Sequence, residues 1–390
     1  MNIIFAGEAF PKYVKKTIFL AGPSPREDGV NDWRNDVVEQ LKEKEFDGTL
    51  YVPIPRKRFY KNYEQDKSWT YDYQVEWECI ARQRADALLF WIPRSNKGKM
   101  PGLTTNIEFG EDLRFPNIFY GRPDDAESCR YLDKRIEMIK KEVFNNTGDL
   151  LDGILNYLGE GAERKDAETE VPLYIWKTPN FSSWYTNLKE SGNSLLNFKL
   201  KDVVMIGRNK DIVFYFNAHV NIWVEKEKRY KANENIFART NISSIISYYE
   251  DPESYEKTIV LVKEFRSPVS NKEGFVFELP GGSSFDDISY QENAQIEYFE
   301  EVGLMIEDKT RFVKVSQRQL AATFGTHISH LYSVKLNKEE FLKLKEISLE
   351  EKALGMHNDE ITYVILVKEK DLYNVPVDYS TIGMIKEALM

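Results

Sequence analysis

Residues 77–110 read WECIARQRADALLFWIPRSNKGKMPGLTTNIEFG, and within them Ala87 to Ile92 form an unbroken apolar run between Asp86 and Pro93. A short run that is apolar at every position is the mark of a strand covered on both faces, as in the centre of a parallel sheet. Before the run lies a helical stretch, Gln74 to Gln83, that carries Glu78; after it comes a polar loop with Gly98, Pro101 and Gly102. Thr104 and Thr105 then offer caps for a helix with Glu108 in its first turn. Two carboxylates are thus set around one buried strand, and Glu108 lies beyond that strand's carboxyl end.

Working outward, Lys16 to Pro23 (KTIFLAGP) reads as a first strand ending in a Gly22-Pro23 turn. Val30 to Leu41 follows as a helix, with Trp33, Val37, Val38 and Leu41 at helical spacing. Leu50 to Pro53 and Asn117 to Tyr120 add short strands. This alternation predicts an α/β domain with a doubly wound, flavodoxin-like parallel sheet. Such sheets bind ligands outside the carboxyl ends of their strands, where the Gly22 turn and the loop before Glu108 meet.

These residues resemble the nucleoside 2-deoxyribosyltransferase family, including its nucleotide N-glycosidase relatives. The shared features are a strand ending in AGP, a WE pair, AD before an apolar strand, then a Thr-containing turn and E-x-G, within roughly the first 130 residues. The resemblance implies that Glu108 is the nucleophile at the anomeric carbon and that Glu78 manages the proton on the nucleobase. It places Gly22, Pro23, Asp86, Thr105 and Asn106 around the substrate, and it implies no cofactor. Breaking an N-glycosidic bond builds positive charge on the sugar, which a carboxylate at C1′ stabilises while the departing base takes a proton. Taken singly, each acid could equally be a solvated helix carboxylate, and Asp86 a strand cap. Two positions depart from the family: a tyrosine of the first strand is Phe19 here, and an acid expected shortly before the nucleophile is replaced by the Lys99 to Gly102 loop.

A second signature spans Phe277 to Leu304, FELPGGSSFDDISYQENAQIEYFEEVGL. Spacings of three and four put Glu297, Glu300 and Glu301 on one helical face, where like charges repel unless a hard divalent cation lies between them. A solvated face has the same spacing. The segment resembles a Nudix box: Gly282 opens it, and Glu297, Glu300, Glu301, Gly303 and Leu304 match its second half. The resemblance implies an α+β Nudix-type sandwich with a mixed sheet, Mg²⁺ or Mn²⁺ held by Glu297, Glu300 and Glu301, and a nucleoside diphosphate derivative as substrate. Two box positions differ, Ile288 for an acid and Ile296 for an arginine. The flanks, VLVKEFR at 260–266 and FVFELPGG at 275–282, are similar to the ADP-ribose pyrophosphatase branch, which implies that Arg266 contacts a phosphate. In that branch a late acidic loop supplies a catalytic glutamate, and His357-Asn358-Asp359-Glu360 stands in the matching place, with Glu360 as the candidate. His327 and His330 alternate with apolar residues and read as core or rim side chains.

The chain has 390 residues, more than one core usually organises. The motifs divide it into 1–145, a deoxyribosyltransferase-like domain; 146–200, a helical and aromatic connecting region; and 201–390, a Nudix-like domain. Tyr174, Trp176, Phe181, Trp184 and Tyr185 in the connector read as an interface between the domains, with nucleobase stacking as the alternative. The Glu225 to Lys231 run, mixed in sign, reads as a solvated hairpin tip.

A net charge of −10 and a pI near 5.3 argue against a nucleic-acid partner, which needs a concentrated basic face. The expected partners are small nucleosides and nucleotides. Two cysteines without CxxC spacing suit a reducing cytoplasm, and no apolar run approaches the ~20 residues that span a bilayer. A homo-oligomer is implied by the first resemblance alone. Three functional classes remain open: an N-glycosyl enzyme fused to a Nudix hydrolase, a glycosyl enzyme regulated by a Nudix-like domain that senses a nucleotide without hydrolysing it, or a purely structural interaction module, for which two site-like constellations would be coincidental.

Overall fold

The computed structural model describes residues 1–26, 31–59, 70–95, 100–207, 211–355 and 361–390. The chain forms two compact units, Met1–Phe237 and Ala238–Met390. Among the described residues no helix is long and apolar enough to cross a membrane. Cys79 and Cys129 are free thiols.

The first unit begins with β1 (Asn2–Phe5), β2 (Tyr13–Val14), β3 (Thr17–Ala21), α1 (Trp33–Glu43), β4 (Thr49–Val52), α2 (Arg56–Phe59), α3 (Tyr71–Arg84), β5 (Ala87–Trp91), α4 (Leu103–Asp112), β6 (Ile118–Gly121), α5 (Arg130–Met138), β7 (Val143–Phe144) and α6 (Thr147–Leu158). Six of these strands make one sheet in the order β1-β4-β3-β5-β6-β7, parallel throughout. From β3 the chain winds outward one way to β4, then crosses back over β3 to β5 and continues the other way. The switch point therefore lies at the carboxyl ends of β3 and β5, as the doubly wound reading requires. The strand β1 extends the sheet beyond β4.

Alternation along β3 shows why both faces are covered. Ile18 and Leu20 join one core with Val37, Val38 and Leu41 of α1, while Phe19 and Ala21 join the opposite core with Trp77, Ala81 and Phe109 of α3 and α4. The helix α6 belongs to the first of these cores through Leu150, Leu151, Ile154 and Leu158, all buried. The region 146–200 is therefore part of the first unit's fold and does not act as a connector.

The remainder of the unit comprises β8 (Arg164–Lys165), α7 (Leu173–Trp176), α8 (Pro179–Glu190), β9 (Ser194–Ile206), β10 (Ile212–Val224) and β11 (Arg229–Arg239). The last three form an antiparallel sheet ordered β11-β10-β9. The division between units falls at 237/238, where the sequence reading set a boundary at 200/201, because β9 and β10 pair as long strands that close on the first unit. The aromatic cluster lies within this unit: Phe181 meets Trp176 at 5.3 Å, Tyr185 at 5.4 Å and Phe198 of β9 at 5.8 Å, and Phe198 meets Phe216 of β10 at 6.3 Å. It packs α7 and α8 on the β9–β10 hairpin, an internal role in place of the expected domain interface.

The second unit contains β12 (Ile242–Glu250), β13 (Lys257–Phe265), β14 (Phe275–Glu278), β15 (Gly281–Gly282), α9 (Tyr290–Val302), β16 (Val313–Gln319), β17 (Ile328–Lys335), α10 (Lys338–Leu349), β18 (Thr362–Lys368) and α11 (Tyr379–Leu389). Its seven-stranded sheet is mixed: β12 and β17 run parallel, while β13 pairs antiparallel with β12, β14 and β18. Ala294, Tyr298 and Val302 of α9 and Leu344 of α10 cover one face, and Ile385 of α11 the other. This is the α+β sandwich with a mixed sheet.

Candidate functional site

At the switch point of the parallel sheet lies a cavity of about 280 Å³, and both Glu78 and Glu108 line it. Gly22 and Pro23 after β3, Pro53 and Ile54 after β4, Gln74 of α3 and Thr105 of α4 also contribute to its wall. Gly22 is required there: at φ +153° its added Cβ would stand 2.2 Å from the Trp91 carbonyl oxygen and 2.6 Å from Trp33. The turn is tied down by Arg34, whose buried guanidinium donates to the carbonyls of Gly22 at 2.6 Å and Leu20 at 3.1 Å.

Each carboxylate is positioned by spacing along its helix. On α3, Gln74, Glu78 and Arg82 recur every four residues and share one face. The Gln74 amide donates to Glu78 Oε1 at 2.7 Å and to the Pro53 carbonyl at 3.0 Å, which holds the carboxylate at the end of β4. Arg82 donates to Asp112 at 2.8 Å, to Glu111 at 2.8 Å and to the backbone carbonyl of Glu108 at 3.3 Å, locking α3 onto α4. Glu108 and Asp112 are again four residues apart. These supporting residues escape a search for motifs, although their i, i+4 periodicity was visible in the chain.

Burial raises Glu108 to about 7; Arg82 pulls it down and the neighbouring charges of Glu78 and Asp112 push it up. Glu78 is raised as well, first by burial, against the Gln74 hydrogen bond and the charges of Arg34 and Arg82. Burial also raises Asp112 to about 6, opposed by Arg82. The two carboxyls feel each other's charge, and burial favours the neutral form of both.

Residues 15–113 match the family model described as nucleoside 2-deoxyribosyltransferase like. All the cavity residues named above fall inside that segment. No curated protein matches the chain. Among solved structures the chain is similar to a mutT/nudix family protein from Listeria innocua, at 19% identity and a TM-score of 0.29, over 38% of this chain and 90% of that one. It is also similar to the NUDIX domain of Shewanella oneidensis NrtR, solved with ADP ribose, at 12% identity and a TM-score of 0.27, over 38% of this chain and 86% of that one.

Other residues expected at the site lie elsewhere. The helix α4 starts at Leu103, its N-cap being Gly102 in a left-handed conformation, so Thr104 and Thr105 are inside the helix and Glu108 is in its second turn. Asn106 accepts a hydrogen bond from Arg94 and lines a different cavity. Asp86 is fully buried away from the cavity: it pairs with Arg164 and accepts from the backbone N–H groups of Thr17 at 2.8 Å and Leu173 at 2.7 Å. Its substrate role is replaced by a structural one.

In the second unit, β15 pairs closely with β12 because residue 281 is glycine: at φ +152° an added Cβ would stand 2.0 Å from the Ser243 carbonyl oxygen. Its N–H donates to Glu301 at 2.8 Å. Burial raises Glu301 well above the usual carboxylate range; that hydrogen bond opposes the shift, and the charges of Glu297 and Glu264 add to it. Glu297 lies against Gly282, whose added Cβ would be 2.5 Å from its carboxylate oxygen. Glu300 is on the same helix, yet among the described residues no group of three or more His, Cys, Asp or Glu side chains could hold a metal ion. Glu297, Glu300 and Glu301 are thus not gathered into the three-carboxylate set that their spacing suggests. Arg266 is engaged by Glu264 at 2.8 Å and Glu278 at 3.1 Å, so its guanidinium already has carboxylate partners in place of a phosphate. Glu360 lies outside the described residues, as do His357, Asn358 and Asp359. His330 is buried and stacks on Tyr290 at 3.6 Å, a core role.

Proposed function

We propose that the first unit cleaves or transfers the N-glycosidic bond of a nucleoside or nucleotide. The observation that carries this reading is the convergence of Glu78 and Glu108 on one cavity at the switch point of the parallel sheet, within the segment that matches the deoxyribosyltransferase-like model. In the reaction the Glu108 carboxylate attacks C1′, the C1′–N bond breaks, and the base leaves with its electron pair and takes a proton from Glu78. A glycosyl ester on Glu108 results. Water or a second base then attacks C1′ and releases Glu108, while Glu78 recovers the proton. Burial raises Glu108 to about 7 in the free protein, and positive charge growing at C1′ favours its ionised form.

The second unit, on this reading, handles a nucleoside diphosphate derivative such as ADP-ribose. Ile288 and Ile296, in place of the acid and the arginine of the box, favour binding over hydrolysis, so that the second unit reports a nucleotide to a partner or to the first. The substrates are small molecules, and the first family's habit suggests a homo-oligomer.

Product analysis of the full chain tests both parts, with nucleosides, deoxynucleoside monophosphates, NAD and ADP-ribose supplied with and without Mg²⁺. Free base formed without Mg²⁺ and lost in Glu108→Gln supports the first reading; its absence from every substrate removes it. AMP formed from ADP-ribose with Mg²⁺ and lost in Glu301→Gln would replace the sensor reading with a hydrolase.

A further inference from the structure

A second cavity of about 280 Å³ opens between α4 and α5, on another face of α4 from Glu108. Phe109 and Leu132 give it an apolar floor, and two guanidinium groups, Arg94 and Arg135, line it. Arg94 is only 7% exposed. Its Nη1 donates to the Ser128 carbonyl at 2.9 Å and its Nη2 to Asn106, both neutral, while its Nε has no hydrogen-bond partner among the described residues. Arg135 donates to the Tyr131 hydroxyl at 3.2 Å. Among the described residues neither arginine forms an ion pair with a carboxylate, although the chain as a whole carries ten more acidic than basic charges, 63 against 53.

A buried cation without a counter-charge is costly, and proteins rarely keep one unless something brings the opposite charge. Two guanidiniums converging on one cavity match a dianion, and their planar forks match the oxygens of a phosphate. The apolar floor and the exposed Tyr131 ring suit the body to which such a group is attached.

We propose that the cavity between α4 and α5 binds a phosphate-type oxyanion, either free or as the monoester of a small sugar or nucleoside. This site is separate from the glycosyl cavity and does not depend on the reading of Glu78 and Glu108. Because Asn106 and Gly110 wall it while Glu108 sits on the same helix, an occupant would bear on α4 directly.

Isothermal titration of the full chain with inorganic phosphate, ribose 5-phosphate and AMP tests the site. Gly110 offers a way to block it without disturbing the core, since a Cβ added there meets nothing within 4 Å and leucine is a better helix former than glycine. Gly110→Leu should abolish binding of inorganic phosphate, and Arg135→Gln should weaken it at least about tenfold, the usual consequence of losing a charged hydrogen-bond partner. Glu108→Gln should leave it unchanged. Equal binding of all three probes identifies the free ion as sufficient; tighter binding of the esters identifies the apolar floor as part of the site. Loss in Glu108→Gln with retention in Gly110→Leu and Arg135→Gln would place the ligand in the glycosyl cavity and overturn the proposal. So would the absence of binding by the unaltered chain with ligand at about 1 mM, the weak end of the specific range.

Discussion

Replacing Glu108 by glutamine should make the first unit more stable above neutral pH while ending its proposed chemistry. Burial holds the Glu108 carboxyl at about 7 in the folded chain against an ordinary value of 4.5. Below 4.5 the group is protonated in both states and contributes no penalty. As pH rises from there to 7 the unfolded chain ionises it freely while the fold resists, so stability falls across that window. At about 1.4 kcal/mol per pH unit the loss reaches an upper bound of about 3 kcal/mol, and solvent reaching this half-buried group lowers it toward about 1 kcal/mol. Glutamine removes the titration. The difference between Glu108→Gln and the unaltered chain should therefore widen by about 1–3 kcal/mol between pH 4.5 and pH 8, several degrees in the melting midpoint. All seven tryptophans of the sequence precede residue 238, so intrinsic fluorescence follows this unit alone. A difference that stays flat from pH 4.5 to pH 8, or a variant that is less stable at pH 8 than at pH 4.5 relative to the parent, refutes the burial of an ionisable Glu108.

Arg82→Met removes a charge that holds Glu108 down, so the acidic limb of the base-release profile should move to higher pH, and Arg82→Lys should restore part of it; a profile that does not move denies Arg82 its positioning role. Gly22→Ala forces a Cβ into the Trp91 carbonyl and should remove activity through a displaced turn, checked by melting and by product release together. Chelation with EDTA should leave base release unchanged, because the carboxylates of the glycosyl cavity act without a metal in this scheme; a loss restored by Mg²⁺ would contradict it. Arg164→Met leaves Asp86 buried without its partner and should destabilise the first unit by about 3–5 kcal/mol, read by tryptophan fluorescence in denaturant.

The strands and the pair of catalytic candidates were legible because their signals are local. The apolar run at 87–91 and the two-sided burial of Ile18 to Ala21 are direct consequences of a sheet covered on both faces. What the pattern did not show depends on where helices begin and what they meet. With Leu103 as its first residue, α4 turns Asn106 about 200° from Glu108, at 100° per residue, which is why two near neighbours in sequence face different cavities. The apolar stripe of α6 was too apolar for a free linker, but what it packs on was hidden because its partners, α1 and β5, are more than fifty positions away in the chain. Asp86 was placed at the substrate by the family resemblance alone, its other reading being a strand cap; Arg82 and Arg84 precede it closely, yet the partner it pairs with, Arg164, arrives only through the fold.

That last contact bears on how the chain came to be assembled. The segment that matches the deoxyribosyltransferase-like model ends at residue 113, yet the acid at the amino end of its central strand is neutralised by an arginine at 164 and a backbone N–H at 173. A graft of the matched segment into another protein would carry an orphaned charge into the middle of its sheet. The unit that folds around the matched segment is thus longer than the segment itself, and a chain cut between 113 and 164 would leave Asp86 without its counter-charge.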